Sequence, residues 1–547
     1  MSPSRADLQR TAARVFGWED FRPGQLEAME AASTGRDVLC IMPTGAGKSA
    51  VYQVPAMAMP GTAVVISPLI ALQQDQADAI NEAVGRTAAY VLNSAQSQAY
   101  WDEAWAAAEG DGAGQAKFLF LGPEQVARAE VAERLRALDV SLVVIDEAHC
   151  VSAWGHDFRP DYLQLDLLVK ALERPVVALT ATASPPVRAE IVEQLGMRNE
   201  LQVSLGFDRP NLRLSAARHE NPEDKRRAIL AQTAQLPGPG LLYVATRRET
   251  EEYAQALQEK GLRADAYHSG RRHEDRQQIH EQFLNDALDV VVATTAFGMG
   301  IDKPNVRFVV HADVPDSVDS YYQEIGRGGR DGEPCGIFLH YRPEDLGLRR
   351  FFAAKSPNEE ALSQVFKVVK RHDAPVSADT LRQDLDISAR RLSGQLSLLE
   401  QSGSVQASGA GYTALPVTAA KAVQAAVEFA EKRENIDSSR LEMMRQYAET
   451  GDCRRRFLLN YFGEDAPDMC GNCDNCERAE ERGEELGPQE PAGEQPFPLQ
   501  SEVTHAEWGR GMVMSYDDGT VTVLFDSEGY KTLSVDVVLE KELLRAQ

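Results

Sequence analysis

Short apolar runs alternate with longer helical stretches along the first part of the chain. Such runs, when helices separate them, are typical of parallel strands that are buried on both faces of a sheet. In a first block they fall at residues 38–42, 63–67, 117–121, 142–145 and 176–180. In a second block they fall at residues 240–245, 289–293, 306–311 and 336–341. The pattern therefore predicts the α/β class, with two tandem parallel-sheet lobes at residues 1–205 and 206–345.

After residue 345 this alternation ends and the pattern becomes mainly helical. Three helices and a Gly-rich hairpin are predicted at residues 361–371, 378–385, 388–401 and 404–414. That order is typical of a winged helix-turn-helix, whose recognition helix contacts DNA. We therefore expect a winged-helix-like domain at residues 346–416, with Arg390 and Arg391 at the start of the recognition helix. A small helical packing domain is the alternative.

Four cysteines share a short stretch of chain after the next long predicted helix. Two residues separate Cys470 from Cys473 and Cys473 from Cys476, and sixteen separate Cys453 from Cys470. Four thiolates at such spacing form the closed tetrahedral site of a structural zinc ion. Residues 417–480 are therefore predicted to be a helical zinc-binding module, with an accidental cluster of reduced cysteines as the alternative.

The last part of the chain contains a linker and a β segment. Residues 481–499 are acidic and contain proline, which is typical of a solvated linker. Beyond it, apolar residues alternate at 520–525, between turn signals at 517–519 and 527–529. Alternation of period two between Gly-containing turns predicts short antiparallel strands. We therefore expect a small β-barrel at residues 500–547.

Composition limits the class of protein. With 43% hydrophobic and 26% charged residues, the chain resembles soluble globular proteins. It has no apolar run of about 18 residues and no apolar signal segment at its start, so we expect a cytoplasmic protein. The net charge of −26 disfavours indiscriminate coating of nucleic acid, because phosphate contacts supply most non-specific affinity. Binding to nucleic acid should therefore depend on local basic patches and on salt.

A Gly-rich segment follows the first predicted strand. Residues 42–49 fit the phosphate-binding pattern G-x-x-x-x-G-K-[ST], with Met42 in place of the leading glycine. Glycines let backbone N–H groups turn toward phosphate oxygens, the lysine reaches the β- and γ-phosphates, and the hydroxyl ligates Mg²⁺. The residues expected to hold a nucleotide here are Thr44, Gly45, Gly47, Lys48 and Ser49.

A carboxylate pair, Asp146 and Glu147, follows the predicted strand at residues 142–145. A carboxylate at the end of a buried strand can hold Mg²⁺ beside the phosphates, and its neighbour can orient the attacking water. Asp146 and Ser49 are therefore the predicted Mg²⁺ ligands, and Lys48, Asp146 and Glu147 are predicted to be catalytic. The two segments together predict a nucleoside triphosphatase. A Gly-rich turn beside a structural carboxylate pair is the alternative.

Taken in order along the chain, these motifs resemble the RecQ family of superfamily 2 DNA helicases, whose two lobes are RecA-like. The resemblance covers residues from about 8 to 345 and the cysteine cluster. Residues 16–25 are similar to the family's adenine-recognition motif. By that resemblance Gln25 hydrogen-bonds the adenine edge, while Trp18 and Arg22 enclose the ring. A hydrophobic staple on a helix is the alternative, although it leaves Gln25 unexplained.

Three segments resemble family motifs that contact DNA. Residues 67–76 follow the second predicted strand, residues 150–160 follow the carboxylate pair, and residues 294–295 end a strand of the second lobe. The middle segment is rich in aromatic residues, on which bases can stack in a sequence-tolerant way. For the first two segments, a helix cap and an aromatic turn in the core are the alternatives. The resemblance implies DNA contacts from Pro68, Gln76, Trp154, His156, Phe158, Arg159 and Thr294.

Residues 323–332 are similar to the family's arginine-finger motif. By that resemblance Gln323 contacts the nucleotide, and the catalytic Arg327 and Arg330 cross the cleft to the γ-phosphate. A guanidinium at that place stabilises the charge that develops in the transition state. Residues 178–183 resemble the motif that links hydrolysis to movement of the lobes.

The resemblance implies an ATP-dependent 3′-to-5′ DNA helicase that translocates on single-stranded DNA and unwinds duplex at the nucleoid during DNA repair and recombination. It implies ATP, Mg²⁺ and Zn²⁺ as cofactors, and single-stranded and tailed duplex DNA as partners. A DNA remodeller that does not separate strands and an RNA helicase are the alternatives. Residues 503–513 resemble the Tudor-like barrel of UvrD/PcrA-type helicases, which implies a protein partner such as RNA polymerase. In many relatives the winged helix follows the zinc module, so fork and junction preferences do not carry over.

Overall fold

The computed structural model of the chain confirms the predicted α/β class and the two parallel-sheet lobes. Among the described helices, none is both long and apolar enough to cross a lipid bilayer. The structure describes residues 2–546 except 44, 94–95, 111–113, 127, 153–161, 163–164, 296, 298–302, 348–356, 409–410, 485, 487–495, 500 and 518.

The first lobe is built on a seven-stranded sheet of order β3-β4-β2-β5-β6-β1-β7, in which all the described pairs run parallel. Its strands are β1 Val38–Ile41, β2 Thr62–Ile66, β3 Ala89–Leu92, β4 Phe118–Leu121, β5 Val140–Ile145, β6 Val176–Thr180 and β7 Leu201–Ser204. Its α-helices are Arg5–Thr11, Gln25–Ser33, Ala50–Ala58, Ile70–Val84, Gln98–Glu109, Pro123–Val126, Ala129–Ala137, Leu165–Leu172 and Pro185–Gln194. Because the strands are parallel, the loops that follow them leave the sheet at one edge, where ligands bind in such folds.

The central strands of this lobe are buried on both faces. In β1, Leu39 and Ile41 belong to one apolar cluster, and Val38 and Cys40 belong to another on the opposite face. Successive side chains of a strand point to opposite faces, so a strand covered on both sides needs a continuous apolar run. This burial explains why the central strands were predictable.

The second lobe is a six-stranded sheet of order β10-β11-β9-β12-β13-β8, and its described pairs are also parallel. Its strands are β8 Leu212–Arg218, β9 Gly240–Tyr243, β10 Ala264–Tyr267, β11 Val290–Ala293, β12 Phe308–His311 and β13 Cys335–Tyr341. Its α-helices are Pro222–Thr233, Arg247–Glu259, His273–Leu284 and Val318–Ile325. We call the last of these the finger helix, because it leads directly to Arg327 and Arg330. Four strands were not predicted, namely β3, β7, β8 and β10, and they are the edge strands of the two sheets.

Three helices and a hairpin follow, in the order predicted for a winged helix-turn-helix. They are the helices Glu359–Arg371, Ala378–Leu385 and Ala389–Gln401, and the antiparallel strands β14 Val405–Ser408 and β15 Gly411–Ala414. A small core that includes Phe366 and Leu396 holds them together, and Ala422 and Ala426 of the following helix, Ala419–Glu449, belong to the same core. The Ser388 side chain accepts a hydrogen bond from the backbone N–H of Arg391 and so caps the third helix. Arg390 and Arg391 are exposed there.

The remaining elements form the zinc module and a C-terminal sheet. The module contains the long helix Ala419–Glu449 and the shorter helices Arg454–Tyr461 and Asp474–Arg482. An antiparallel sheet stands where the small barrel was predicted, with strands in the order β19-β18-β17-β16-β20. Its elements are β16 Glu502–His505, β17 Gly509–Asp517, β18 Thr520–Phe525, β19 Gly529–Ser534, the helix Val535–Glu540 and β20 Leu544–Ala546.

Candidate nucleotide and DNA site

The phosphate loop joins β1 to the helix Ala50–Ala58. Gly45 and Gly47 have φ values of +80° and +77°, a conformation that disfavours side chains. Lys48 Nζ donates to the backbone carbonyl of Met42 at 3.1 Å. Glycines that turn the chain into a helix N-terminus leave backbone N–H groups to cradle phosphates. The loop therefore has the geometry that its pattern predicts; Thr44 lies outside the described residues.

The carboxylate pair lies beside this loop at the end of β5. Asp146 is buried, accepting hydrogen bonds from Ser67 Oγ at 3.3 Å and from the backbone N–H of Glu147 at 3.0 Å. Burial raises the pKa of Asp146 to about 7, and the Glu147 charge adds to this effect, while the Lys48 ammonium opposes it. A cation would favour the ionised carboxylate. The site therefore suits a divalent metal ion, for which Asp146 and Ser49 are the predicted ligands.

A chain of polar contacts leads from Glu147 to the second lobe. His149 Nδ1 lies 3.3 Å from Glu147 Oε2 and 3.0 Å from Thr180 Oγ1. Thr180 Oγ1 in turn donates to the Thr182 carbonyl at 2.8 Å, and Gln323 Nε2 of the second lobe donates to Thr182 Oγ1 at 3.5 Å. This series of polar contacts thus connects the carboxylate pair with the finger helix. His149 completes the motif Asp146-Glu147-Ala148-His149 in the sequence, but its contact with Thr180 was not predicted, because Thr180 is remote along the chain.

Of the two predicted arginine fingers, Arg330 approaches the phosphate loop from the second lobe. A β-carbon placed on Gly45 would lie 3.2 Å from Cδ of Arg330. Arg327 is buried beside Tyr243. Burial raises the pKa of the Tyr243 phenol to about 12, and the nearby Arg327 charge opposes that rise. The structure therefore brings Arg330 to the first lobe, whereas Arg327 lies buried within the second.

A buried acid–imidazole pair supports the finger helix. His311 Nε2 lies 2.8 Å from Glu324 Oε2, and both residues are buried. The His311 ring stacks on Tyr243, with centroids 5.4 Å apart. Glu324 therefore ties the finger helix to the end of β12, next to the ring that contacts Arg327.

The predicted adenine-binding residues lie together beside the phosphate loop. Gln25 is buried, and its Nε2 donates to the carbonyls of Ala46 at 3.2 Å and Gly47 at 3.0 Å. Its Oε1 accepts from the backbone N–H of Arg22 at 2.8 Å. Trp18 is 36% exposed and stacks on Phe16. In this structure the Gln25 amide therefore holds the loop itself.

The predicted DNA contacts are described only in part. Pro68 is half-buried after β2, and Thr294 is half-buried after β11. Gln76 Oε1 accepts a hydrogen bond from the Tyr52 hydroxyl at 2.5 Å. These residues lie beyond the carboxyl ends of strands or on the helix that follows. Trp154, His156, Phe158 and Arg159 lie outside the described residues.

Another polar pair stands at the carboxyl edge of the second lobe. Arg247, after β9, donates through Nη2 to Ser269 Oγ, after β10, at 2.9 Å. Both follow strands whose ends share an edge with Thr294. A polar residue just after a predicted strand is the sequence signal for such a site. Because β10 was not predicted, Arg247 and Ser269 could not be placed together from the sequence.

The four predicted zinc ligands meet in space. The Sγ atoms of Cys453, Cys470, Cys473 and Cys476 all lie within 4.8 Å of one another. Backbone N–H groups of Asn472 and Cys476 donate to the Sγ atoms of Cys470 and Cys473, at 3.4 and 3.5 Å. Such hydrogen bonds stabilise thiolates, which are the form that binds metal. The geometry therefore suits a closed tetrathiolate site.

The zinc module extends the edge of the second lobe. Leu214 of β8 bridges to Cys473 in parallel register, and its N–H donates to the Asn472 carbonyl at 3.4 Å. Arg213 pairs with Glu477, and Arg455 Nη2 donates to the Leu212 carbonyl at 2.6 Å. The cysteine cluster is therefore joined directly to edge strand β8.

Comparison with known proteins fits this geometry. Family models match at residues 22–190 (DEAD/DEAH box helicase), 224–332 (Helicase conserved C-terminal domain) and 417–477 (RecQ zinc-binding). The probable ATP-dependent DNA helicase RecS of Bacillus subtilis is 37% identical over 66% of this chain and 73% of its own length. The chain belongs to the RecQ family.

A second RecQ relative sets the limits of this comparison. The ATP-dependent DNA helicase RecQ of Bacillus subtilis is 38% identical over 86% of this chain, but the match spans only 66% of that relative. The DUF1998 helicase MrfA bound to DNA has a similar structure, with a TM-score of 0.53 and 16% identity over 77% of this chain and 64% of that one. The similarity to MrfA supports the fold alone.

The RecQ zinc-binding match and the four-thiol geometry support Zn²⁺ as the ion of the module.

Proposed function

We propose that this chain is an ATP-dependent DNA helicase of the RecQ type, which translocates 3′-to-5′ on single-stranded DNA and parts the duplex ahead of it. The observation that carries the proposal is the approach of Arg330, from the second lobe, to Gly45 of the phosphate loop. ATP bound at that loop would lie between the two lobes, so its hydrolysis can move one relative to the other. The proposed setting is the cytoplasm, at the nucleoid, in DNA repair and recombination.

The first lobe binds the nucleotide and prepares the water. Gly45, Gly47 and Lys48 hold the phosphates through backbone N–H groups and the ammonium group. Ser49 and Asp146 would hold Mg²⁺, which would supply positive charge to offset the negative charge that develops during phosphoryl transfer. Glu147 orients the attacking water, and its contact with His149 fixes its position. Trp18, Arg22 and Gln25 bind the adenine after Gln25 exchanges its loop contacts for the base.

The second lobe completes the site. Arg327 and Arg330 stabilise the negative charge on the γ-phosphate in the transition state, where an arginine contributes about 10³–10⁵ in rate. Gln323 senses the nucleotide and already spans the cleft to Thr182. Loss of the γ-phosphate removes what holds the arginines, so the lobes separate after hydrolysis.

The two lobes hold DNA separately at their carboxyl edges. Pro68 and Gln76 belong to the first lobe, and Thr294 belongs to the second. By family resemblance, Trp154 and Phe158 stack on bases, while Arg159 and His156 contact the backbone. Because each lobe binds the DNA separately, a cycle in which the cleft between the lobes closes and opens moves the protein along one strand. The 3′-to-5′ direction of this movement is inferred from the resemblance to the RecQ family.

The test is a strand-separation assay with DNA duplexes that carry a 3′ or a 5′ tail, and with matched RNA duplexes. We expect ATP-dependent separation of the 3′-tailed DNA, which Lys48→Ala abolishes. Lys170→Ala is the control, since Lys170 pairs with Asp166 on an outer helix, and it should retain activity. DNA-stimulated hydrolysis without separation would favour a remodeller instead, and separation of RNA alone would favour an RNA helicase.

A protein partner is proposed for the C-terminal sheet, on its resemblance to the Tudor-like barrel of UvrD/PcrA-type helicases. RNA polymerase is the partner that this resemblance implies. Pull-down with the full chain and with a chain ending at residue 499 tests it. Retention of every partner by the shortened chain would contradict the proposal.

A further inference from the structure

The C-terminal sheet has two apolar faces, and its own residues cover one of them. Val513 and Val523 pack inside the sheet's own cluster. Their neighbours Met514 and Leu524 point to the other face and belong to the same buried cluster as Met444 of the long helix. Since neighbouring side chains of a strand point to opposite faces, the second face of the sheet is buried against the motor.

A glycine allows this close contact. Gly529, at the start of β19, has φ +74°, and a β-carbon there would lie 2.6 Å from Ser439 Cβ and 3.3 Å from the Asn435 carbonyl. Further along, Gln446 Nε2 donates to Thr532 Oγ1 at 3.4 Å. The strand thus lies directly on the long helix, at a distance that only glycine permits.

The next residue, Tyr530, reaches the junction of the two lobes. Its side chain is buried, with the ring centroid 5.7 Å from that of Tyr461. The Tyr461 hydroxyl donates to Asp319 of the finger helix. Burial raises the pKa of Tyr530, as does the Asp319 carboxylate, while the nearby Tyr461 and Ser184 hydroxyls oppose the rise. The phenol therefore lies near groups from both lobes.

The positions of these two groups matter for the motor. Ser184 precedes the helix Pro185–Gln194, immediately after residues 178–183, which lead from β6 toward Gln323. Asp319 is in the first turn of the finger helix, which leads to Arg327. Tyr530 packs on Tyr461, whose hydroxyl bonds Asp319, so the docked sheet supports this turn of the finger helix.

We propose that the C-terminal sheet is a docked brace of the motor, and that Tyr530 is a positioning residue that ties Ser184 of the first lobe to Asp319 of the second. The inference rests on the proposed function and goes beyond it. The tie favours the closed arrangement of the lobes before DNA binds. Without it, the binding of DNA and ATP must supply more of the free energy that brings the lobes together.

The experiment measures ATP hydrolysis against DNA concentration, and hydrogen exchange of the long helix and β19, in the full chain. Gly529→Ala should raise exchange at that contact, lower hydrolysis without DNA, and raise the DNA concentration for half-maximal stimulation by about five-fold or more. The rate at saturating DNA should change little, since the brace does not touch ATP. Gly509→Ala is the matched control, because Gly509 has φ +76° in the same sheet and nothing within 4 Å of its β-carbon position.

Tyr530→Phe separates the brace from simple packing. The ring remains, so exchange at the docked face should stay as in the parent, whereas the DNA concentration for half-maximal stimulation should rise as in Gly529→Ala. The proposal would be overturned if ATP hydrolysis by both Gly529→Ala and Tyr530→Phe depended on DNA concentration as in the parent. It would also be overturned if hydrogen exchange at the docked face were unchanged in Gly529→Ala. A parent without DNA-stimulated hydrolysis would instead contradict the proposed function.

Discussion

Arg330 of the second lobe lies against Gly45 of the phosphate loop, 3.2 Å from the position that a β-carbon on Gly45 would take. The two residues are far apart in the sequence and belong to separate sheets. Their approach brings a guanidinium of the second lobe to the loop that is predicted to hold the phosphates.

Replacement of Arg330 should therefore slow hydrolysis rather than weaken binding. We expect Arg330→Ala to lower kcat by about 10³-fold while the KM for ATP changes little, because the guanidinium acts mainly on the transition state. Steady-state ATPase kinetics with saturating single-stranded DNA measure this. Arg248→Ala is the control, since Arg248 is exposed and pairs with Glu252 on an outer helix. Unchanged ATP turnover after loss of both Arg327 and Arg330 would disprove the motor interpretation.

The buried pair between His311 and Glu324 should stabilise the second lobe and hold the finger helix. Within the described residues, His311 Nδ1 has no hydrogen-bond partner, so Glu324 satisfies the ring through Nε2. Glu324→Ala leaves both nitrogens buried and unsatisfied, and should cost about 1–3 kcal/mol of unfolding free energy. Chemical denaturation measures the cost.

Glu324→Gln keeps an oxygen for the same hydrogen bond and serves as the matched variant. It should lose less stability and retain more of the DNA-stimulated kcat than Glu324→Ala. Equal stability of the two variants would contradict the role given to this pair.

Removal of zinc should loosen the edge of the second lobe. Because Leu214 of β8 bridges to Cys473, loss of the metal frees a segment that pairs with that strand. We expect about one zinc ion per chain, lost in Cys470→Ser, together with faster hydrogen exchange across Leu212–Arg218. Cys335→Ala, at a buried cysteine outside the cluster, should keep the metal. Full zinc content in Cys470→Ser would exclude this residue as a ligand.

The second lobe should lose stability in mild acid through His340. Burial lowers the pKa of His340 to about 3, and the neighbouring His219 adds to this effect. The unfolded chain binds a proton near pH 6.5 and the folded chain does not, so stability is complete above that pH and falls as pH drops toward 3. From pH 7 to pH 5 the loss should be about 2 kcal/mol.

His340→Gln should flatten this pH dependence even if it lowers stability overall. Denaturation at several pH values measures the slope. His273→Gln removes an exposed histidine of the same lobe and should leave the slope as it is. A slope that is the same in His340→Gln as in the parent would rule out this residue as its source.

The central strands of both lobes could be predicted because burial on both faces demands continuous apolar runs. The four edge strands were not predicted, and in two of them the sequence pattern shows why. In β7 the pattern includes exposed Gln202 and Ser204, and in β10 it includes Asp265, since one side of an edge strand meets solvent. A strand of four residues with such mixed polarity shows no reliable alternation of apolar and polar side chains.

The local motifs of the site were also predictable, because Lys48 and the carboxylate pair each belong to short patterns with their own chemistry. Contacts between distant segments were not. His149 meets Thr180 only once β5 and β6 pair, and Tyr530 reaches the lobe junction only once the C-terminal sheet docks. Their chemistry depends on tertiary neighbours that no spacing along the chain encodes.

Met42 occupies the position where the phosphate-loop pattern has glycine, and its side chain is fully buried while its carbonyl accepts from Lys48. The backbone thus performs the loop's task at this position, whereas the thioether serves only the hydrophobic interior. Whether a substitution of Met42 is tolerated should therefore depend on the volume and shape of the new side chain, as at any core position, and not on its compatibility with a nucleotide. Searches for similar enzymes that insist on the first glycine would overlook proteins built in this way.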